Sequence, residues 1–504
     1  MNIALDGADV RDDHHGTFDV VIVGSGPAGS AVADVLSARG LSVLVVEDGG
    51  TYAGAEIAPD AWTAMARAYR GMGAFMSRAR QPLPVVQGRA VGGGSVINGA
   101  ISWRLPQDVW QDWVDADPAL ADALPWSELE SATDQIITRL GIAPTDPAVA
   151  GRNNLLLARG AESLGLEHRP ISRNVRGCVG SGHCMQGCPN GAKQSMDRTL
   201  LADAVGRGAQ VWQHMRVTRV LHMHGRATGV EARAAGGGRV RIAATRGVVV
   251  AASAVQTPVV LWNSEIRHGP LGQHFQGHPG AGVLARFDAP VRCWEGATQG
   301  HEVTGLRRTG LKFEALGMDR GVLASRLPGL GRALSAEIDR MDHYTSWGVA
   351  VKAKTQGRVT ATRDGTGVVH YGLGPEDLRT LARGVAWAGR MAFAAGAVEV
   401  LPGVVGFDAR VTVPARLDAL EAAPPLDPRA WSSVVTHLFG TCRMSSDPAR
   451  GVVRPDFRHH TTDRLWIADS SVFPTNTGVN PQTSILAMAT LAGRAIGEAL
   501  ATTP

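Results

Sequence analysis

The sequence predicts an α/β protein in which a parallel, Rossmann-like nucleotide-binding sheet is interleaved with a second, discontinuous α+β domain. Three observations carry that prediction. The stretch FDVVIVGSGPAGSAVADVLSARGLSVLVVEDGG alternates strand, glycine turn, helix and strand. Strand-like segments separated by glycine turns follow over 216–253. At 504 residues the chain exceeds one hydrophobic core, so two domains or one large insertion are expected.

Taken in order, residues 1–17 are polar, carry Asp12, Asp13, His14 and His15, and read as a mobile tail. Residues 20–23 form a buried strand, 28–39 a helix of small residues and 42–46 a second strand, a βαβ unit. Residues 51–87 read as helix and loop, broken at Pro82 and Pro84. The stretch 216–253 reads as a meander of three or four strands. Residues 247–262 are a buried strand entering a helix, too interrupted by polar residues for a membrane span. From about 288 to 414 the βαβ character is lost, which marks a candidate substrate domain. A strand in LWIADSS and a long helix in PQTSILAMATLAGRAIGEALA close the chain and return to the first domain. The resulting division gives 18–50, 85–105, 195–288 and 430–504 to the nucleotide domain, and 51–84, 106–194 and 289–429 to the other.

Hydrophobic residues at 44% and charged residues at 19% describe a soluble globular protein. A net charge of +4, from 50 basic and 46 acidic residues, argues against nucleic acid or an anionic membrane as partner. The N-terminus has no cationic patch ahead of an apolar run, so no secretory signal is expected. Five cysteines, an odd number without such a signal, point to reduced thiols and a cytoplasmic location.

Gly24, Gly26 and Gly29 form G-x-G-x-x-G between strand and helix. The first allows the tight turn, the second lets backbone approach a pyrophosphate, and the third allows close helix–strand packing. The helix N-terminus then offers free N–H groups to the anion. Glu47 ends the second strand, where an acid can accept from ribose hydroxyls. This triplet alone does not separate FAD from NAD.

A second glycine-dense loop, GRAVGGGSVINGAISWR, places Gly92, Gly93, Ser95 and Asn98 where backbone could lie against a flat or charged ligand. Here the chain resembles the glucose–methanol–choline (GMC) family of flavin oxidoreductases, whose first signature GRAVGGGSVING is similar to. The resemblance implies FAD beside this loop. Ile97 stands where some members attach the flavin through histidine, so it implies non-covalent FAD. The stretch 251–266 resembles the family's second signature.

HLFGTCRM and ADSSVFPTNTGVNPQ are similar to the GMC catalytic region. Alone, His437 beside apolar residues would read as a core histidine. The resemblance instead implies that His437 and Asn480 straddle a substrate hydroxyl, His437 as base and Asn480 as donor. It places Asp469 near the ribityl chain and carries Pro481 and Gln482 past the flavin ring. Pro481 reads as the first helical residue, with Asn480 at or near the cap.

Cys178, Cys184 and Cys188 form C-x5-C-x3-C. With no clear fourth ligand this is an incomplete metal pattern. It also resembles a loop that carries an iron–sulfur cluster in membrane-linked relatives, and small buried thiols are the competing reading. Trp103, Trp110 and Trp113 read as core or domain-interface aromatics, and His274 and His278 as structural. Tyr344 and Trp347 are candidates for a substrate cavity.

The resemblance implies FAD-dependent oxidation of an alcohol to an aldehyde or ketone, with oxygen or another electron acceptor. Alternatives are a lyase on the same scaffold, or the catalytic or electron-transfer subunit of an iron–sulfur-linked dehydrogenase.

Overall fold

The computed structural model describes residues 2–58 and 60–502, and two sheets organise it. The first runs in the order Leu5–Asp6, Gln210–Gln213, Val43–Val46, His14–Val23, Arg239–Val250, Arg226–Ala234 and Met215–Met223. Leu465–Ile467 adds to the end of Arg239–Val250 in parallel. The first five strands pair in parallel, and the last two form an antiparallel meander with Arg239–Val250. Residues 20–23 and 43–46 are buried throughout, which is why their sequences are unbroken apolar runs. Helix Pro27–Ala38 packs on this sheet and against Leu200–Gly206 and Gln482–Ala501. Small residues permit that approach: a Cβ on Gly493 would stand 2.9 Å from Val35 Cβ. Helix Gln482–Ala501 is long and apolar enough to cross a membrane, but most of it is buried in this core.

The tail expected over residues 1–17 is tied to the sheet at two places. Leu5–Asp6 pairs with Trp212 and Gln213, and residues 14–18 extend the first strand beside 240–244. This stretch has few apolar residues because it pairs through backbone at the rim. Its anchor is Trp212, whose ring meets His14 at 5.2 Å and Phe18 at 5.8 Å.

The second sheet is antiparallel, in the order Glu399–Leu401, Gln276–Arg286, Tyr344–Val351, Leu311–Ala315, His301–Val303 and His168–Pro170. Ser433–Phe439 pairs with the start of Gln276–Arg286. The expected domain division therefore differs from the sheets and their cores at three places. One is 109–140, assigned to the other domain but packed in the first sheet's core. Residues 276–286 and 433–439 were assigned to the nucleotide domain and belong to this sheet. The three glycines and one proline in QGHPGAGVLAR had masked a strand.

Strand alternation sorts this sheet's two faces. Leu311, Phe313 and Ala315 pack with Leu381 and Val385 of helix Pro375–Ala394. Lys312 and Glu314, one residue out of phase, line a cavity on the opposite face. Gly280, Gly282 and Gly348 line the same cavity, and their missing side chains keep it open.

Candidate active site

The cavity measures about 1520 Å³ and is lined from both sheets. At its nucleotide end stand Gly24, Gly26, Glu47 and the loop Gly93–Val96. Gly24 has φ +99° and Gly93 φ +58°, backbone that favours glycine. The two glycine loops touch: a Cβ on Gly93 would lie 2.6 Å from Gly26 Cα. Gly29 lies behind the cavity, where a Cβ would run into the Gly24 carbonyl. Gly92, expected at the cofactor, does not border the cavity. Its N–H donates to Ser25 Oγ at 3.0 Å, which donates to Glu47 at 2.7 Å. Glu47 also accepts from the N–H groups of Ser25 and Gly49, and burial raises its pKa. Ser95 borders the cavity, but its hydroxyl donates to Gly92 O at 2.6 Å and accepts from Met196 N at 3.0 Å. Its role is to shape the loop.

Further along, Asn98 Nδ2 donates to Gln482 Oε1 at 2.5 Å, while Gln482 Nε2 is buried with no partner among the described residues. Gln482 borders the cavity. Helix Gln482–Ala501 starts here without a side-chain cap, as Pro27–Ala38 does at Gly26. Pro481 is the cap residue itself, not the first helical one, so the expected helix start moves by one. Ile97 borders the cavity. Asp469 accepts from Ser253 N, Ser471 N and Thr257 Oγ1, which ties Leu465–Ile467 to helix Ser253–Asn263. Two uncapped helix starts, touching glycine loops and an orphaned amide donor fit a dinucleotide carrying a polar ring.

We expect Gly93→Ala to push the two loops apart and yield protein stripped of most of its FAD. The ratio of flavin to protein absorbance after purification reads this directly.

The chemistry-bearing end brings together residues far apart in sequence. His437, at φ +53° near the end of strand Ser433–Phe439, faces His278 with Nδ1 to Nδ1 at 3.1 Å. Strained backbone at a non-glycine residue is a mark of functional sites. His278 Nε2 accepts from Gly478 N at 3.0 Å. Burial, and then the charge of Lys312, lower the pKa of His437 to about 3. Asn480 borders the same cavity, and its Oδ1 accepts from Lys312 Nζ at 2.5 Å. The carboxamide nitrogen is left as the donor toward the cavity.

Lys312 is 3% exposed and also bonds Glu302 at 2.8 Å and Glu314 at 2.5 Å. Burial lowers its pKa, but the two carboxylates more than reverse this and raise it. Gln299 donates to Glu314 at 2.6 Å; Trp103 and Arg169 donate to Glu302 at 2.7 and 2.8 Å. Sequence reasoning missed Lys312, Glu302 and Glu314, and took His278 as structural. The available signal was the strand LKFEA, where two opposite charges share one face of an otherwise apolar segment. Tyr344 and Trp347, candidates for the cavity, are instead buried away from it, bonded to Glu337 and the Asn153 carbonyl.

In the cysteine loop, Arg173 Nη2 donates to Cys178 Sγ at 3.4 Å, and its Nε and Nη1 are buried without partners. Lys193 Nζ binds the carbonyls of Val96, Asn98 and Cys184, joining this loop to the glycine loop. Among the described residues, no three His, Cys, Asp or Glu side chains are placed to hold a metal ion.

Several histidines are held neutral by burial: His437 and His459 are pushed to about 3, His301 to about 4. In the unfolded chain each titrates near ~6.5. Between these values the unfolded state binds more protons, so stability is present above about pH 6.5 and is lost as pH falls toward 3–4. We expect the thermal midpoint to drop steadily from pH 7 to pH 4; a flat profile would contradict this burial.

Comparison with known proteins agrees with this architecture. The GMC oxidoreductase family models match residues 65–280 and 353–489, and an FAD-binding domain model matches 17–56. A GMC-type oxidoreductase of Mycobacterium tuberculosis is 35% identical, covering 94% of this chain and 74% of that one. One from Sinorhizobium fredii is 33% identical over 94% and 93%. A long-chain-alcohol oxidase of Arabidopsis thaliana is 28% identical over 94% and 67%. Among solved structures, a formate oxidase of Aspergillus oryzae superposes with a TM-score of 0.74 at 15% identity, covering 96% and 99%. A fungal aryl-alcohol oxidase superposes with a TM-score of 0.68 at 18% identity, covering 96% and 99%. The family models and the relatives above 30% identity show that the chain belongs to the GMC family of FAD-binding oxidoreductases.

Proposed function

We propose that the protein oxidises an alcohol to an aldehyde or ketone, holding FAD without a covalent link and the substrate hydroxyl between His437 and Asn480. The observation that supports this reading is that both side chains border one cavity with Lys312 near each of them, bonded to Asn480 and lowering the pKa of His437. FAD, when bound, supplies the acceptor for the hydride that leaves the carbinol carbon. Asn480, oriented by Lys312, donates to the substrate oxygen as negative charge grows on it. Removing the hydroxyl proton speeds hydride departure, because an alkoxide expels hydride more readily than a neutral alcohol. His437 is the acceptor implied by the family pattern. An imidazole lowered to about 3 is a weak acceptor, and this favours a second reading in which the Glu314 carboxylate, on the same wall, takes the proton. The alcohol oxidases among the relatives support the substrate class.

Anaerobic mixing with a panel of primary and secondary alcohols tests the proposal. Bleaching of the yellow flavin with formation of the carbonyl product is expected. Product without bleaching would assign the lyase chemistry instead. Comparing His437→Asn with Glu314→Gln separates the two acceptors, since loss of the true acceptor slows bleaching more at every pH.

A further inference from the structure

The hydrogen-bond chain Gly478–His278–His437 has a direction that its chemistry dictates. A backbone N–H can only donate, so the Gly478 N–H at 3.0 Å makes His278 Nε2 an acceptor without a proton of its own. His278 is 4% exposed, and its burial holds the ring neutral, with a single ring proton. That proton sits on Nδ1. Across from it, at 3.1 Å, is Nδ1 of His437, and two N–H groups cannot face each other at that distance. His437 Nδ1 is therefore the acceptor, and the neutral ring keeps its own proton on Nε2.

We infer that His278 is a positioning residue that locks His437 in its Nε2–H tautomer, so that the resting site presents two N–H donors to the substrate oxygen. The second donor is the Asn480 carboxamide, turned the same way by Lys312. The inference rests on the alcohol-oxidising reading in its second form, with Glu314 rather than His437 taking the proton, because a ring that points Nε2–H at the oxygen can only donate to it. The site then greets the oxygen with a pair of donors suited to a developing alkoxide. The lock is anchored in the fold. His278 is carried on the strand Gln276–Arg286, its ring packs at 5.3 Å from Phe439, and it meets His437 edge-on at 5.2 Å. The Asn476 side chain also hydrogen-bonds His278, and a shared Nδ1–H still leaves His437 Nδ1 as an acceptor.

Nitrogen-15 NMR of histidine-labelled holoenzyme reads the tautomer without any substrate. The His437 signals, identified by their loss in His437→Asn, should show a protonated Nε2 and a bare Nδ1. A proton on Nδ1 would overturn the inference. Two variants extend the test to catalysis. His278→Gln can still accept from Gly478 and donate to His437, whereas His278→Phe can do neither. With FAD content unchanged, His278→Phe should slow flavin reduction by alcohol about tenfold or more, against the ~10⁴-fold that a wrong tautomer can cost. His278→Gln should restore most of the rate, and the His437 tautomer with it. Equal rates in the two variants would overturn the positioning role. If no alcohol reduced the wild-type flavin, the functional reading would fail while the NMR result still decided the tautomer.

Discussion

His437→Ala is expected to purify yellow, with FAD bound, and to lose flavin reduction by alcohol by two to four orders of magnitude. The residue borders the cavity from the second sheet, while the glycine loops and two helix starts that we propose as the cofactor cradle belong to other elements. Removing the imidazole thus takes away chemistry without taking away the cradle. The size of the loss follows from either role open to the ring. General base catalysis is typically worth ~10²–10⁴-fold, and one well-aimed donor in a dry site ~10²–10³-fold. Stopped-flow reduction under anaerobic conditions gives the rate constant. A variant that bleached as fast as wild type would remove His437 from the reaction altogether.

Lys312→Met should weaken both the fold and the reaction. Methionine nearly matches the lysine stem in volume, so packing is largely kept and the change is electrostatic. Glu302, 1% exposed, and Glu314 would lose the ammonium that balances them. Breaking a buried pair by removing one partner costs about 3–5 kcal/mol. Arg169 and Trp103 on Glu302, and Gln299 on Glu314, place the expected loss near the lower end, read as a shift in the urea midpoint. Burial pushes the Glu302 pKa up, and Lys312 and Arg169 more than reverse this, so it lies below the ordinary carboxylate value. Its contribution to stability is present above the unfolded pKa of ~4.3 and is lost as pH falls through the folded value. Activity should fall as well, because Asn480 Oδ1 loses the donor that orients its carboxamide. Adding Glu314→Gln should recover part of the stability and little of the rate. A Lys312→Met protein with unchanged midpoint and rate would show that this cluster only packs the sheet.

Local patterns were readable where chemistry is local. The βαβ unit with Gly24, Gly26 and Gly29 needs no distant partner to declare itself, because a tight turn, a buried strand and a helix start each have their own residue preferences. The meander over 216–253 was equally clear, since its strands are neighbours in sequence and in space. The strand Gln276–Arg286 was not, because glycines and a proline erase the period-2 apolar signal and only pairing with three other strands makes it sheet. The rim strand Leu5–Asp6 escaped for the same reason: its partner lies more than 200 residues away.

By itself the sequence determined the family and the glycine motifs, and singled out His437 and Asn480 as the proposed pair for the chemistry, since motifs encode backbone shape and residue type. Only the tertiary structure decided what surrounds them. His278 reaches His437 because two strands of one antiparallel sheet run side by side, and Lys312 reaches Asn480 because a strand face meets the start of the last helix. Proton position and carboxamide orientation depend on distances of about 3 Å between residues more than 150 positions apart. A linear chain specifies which groups are present; the direction in which each hydrogen bond points is set only when the sheets close around them.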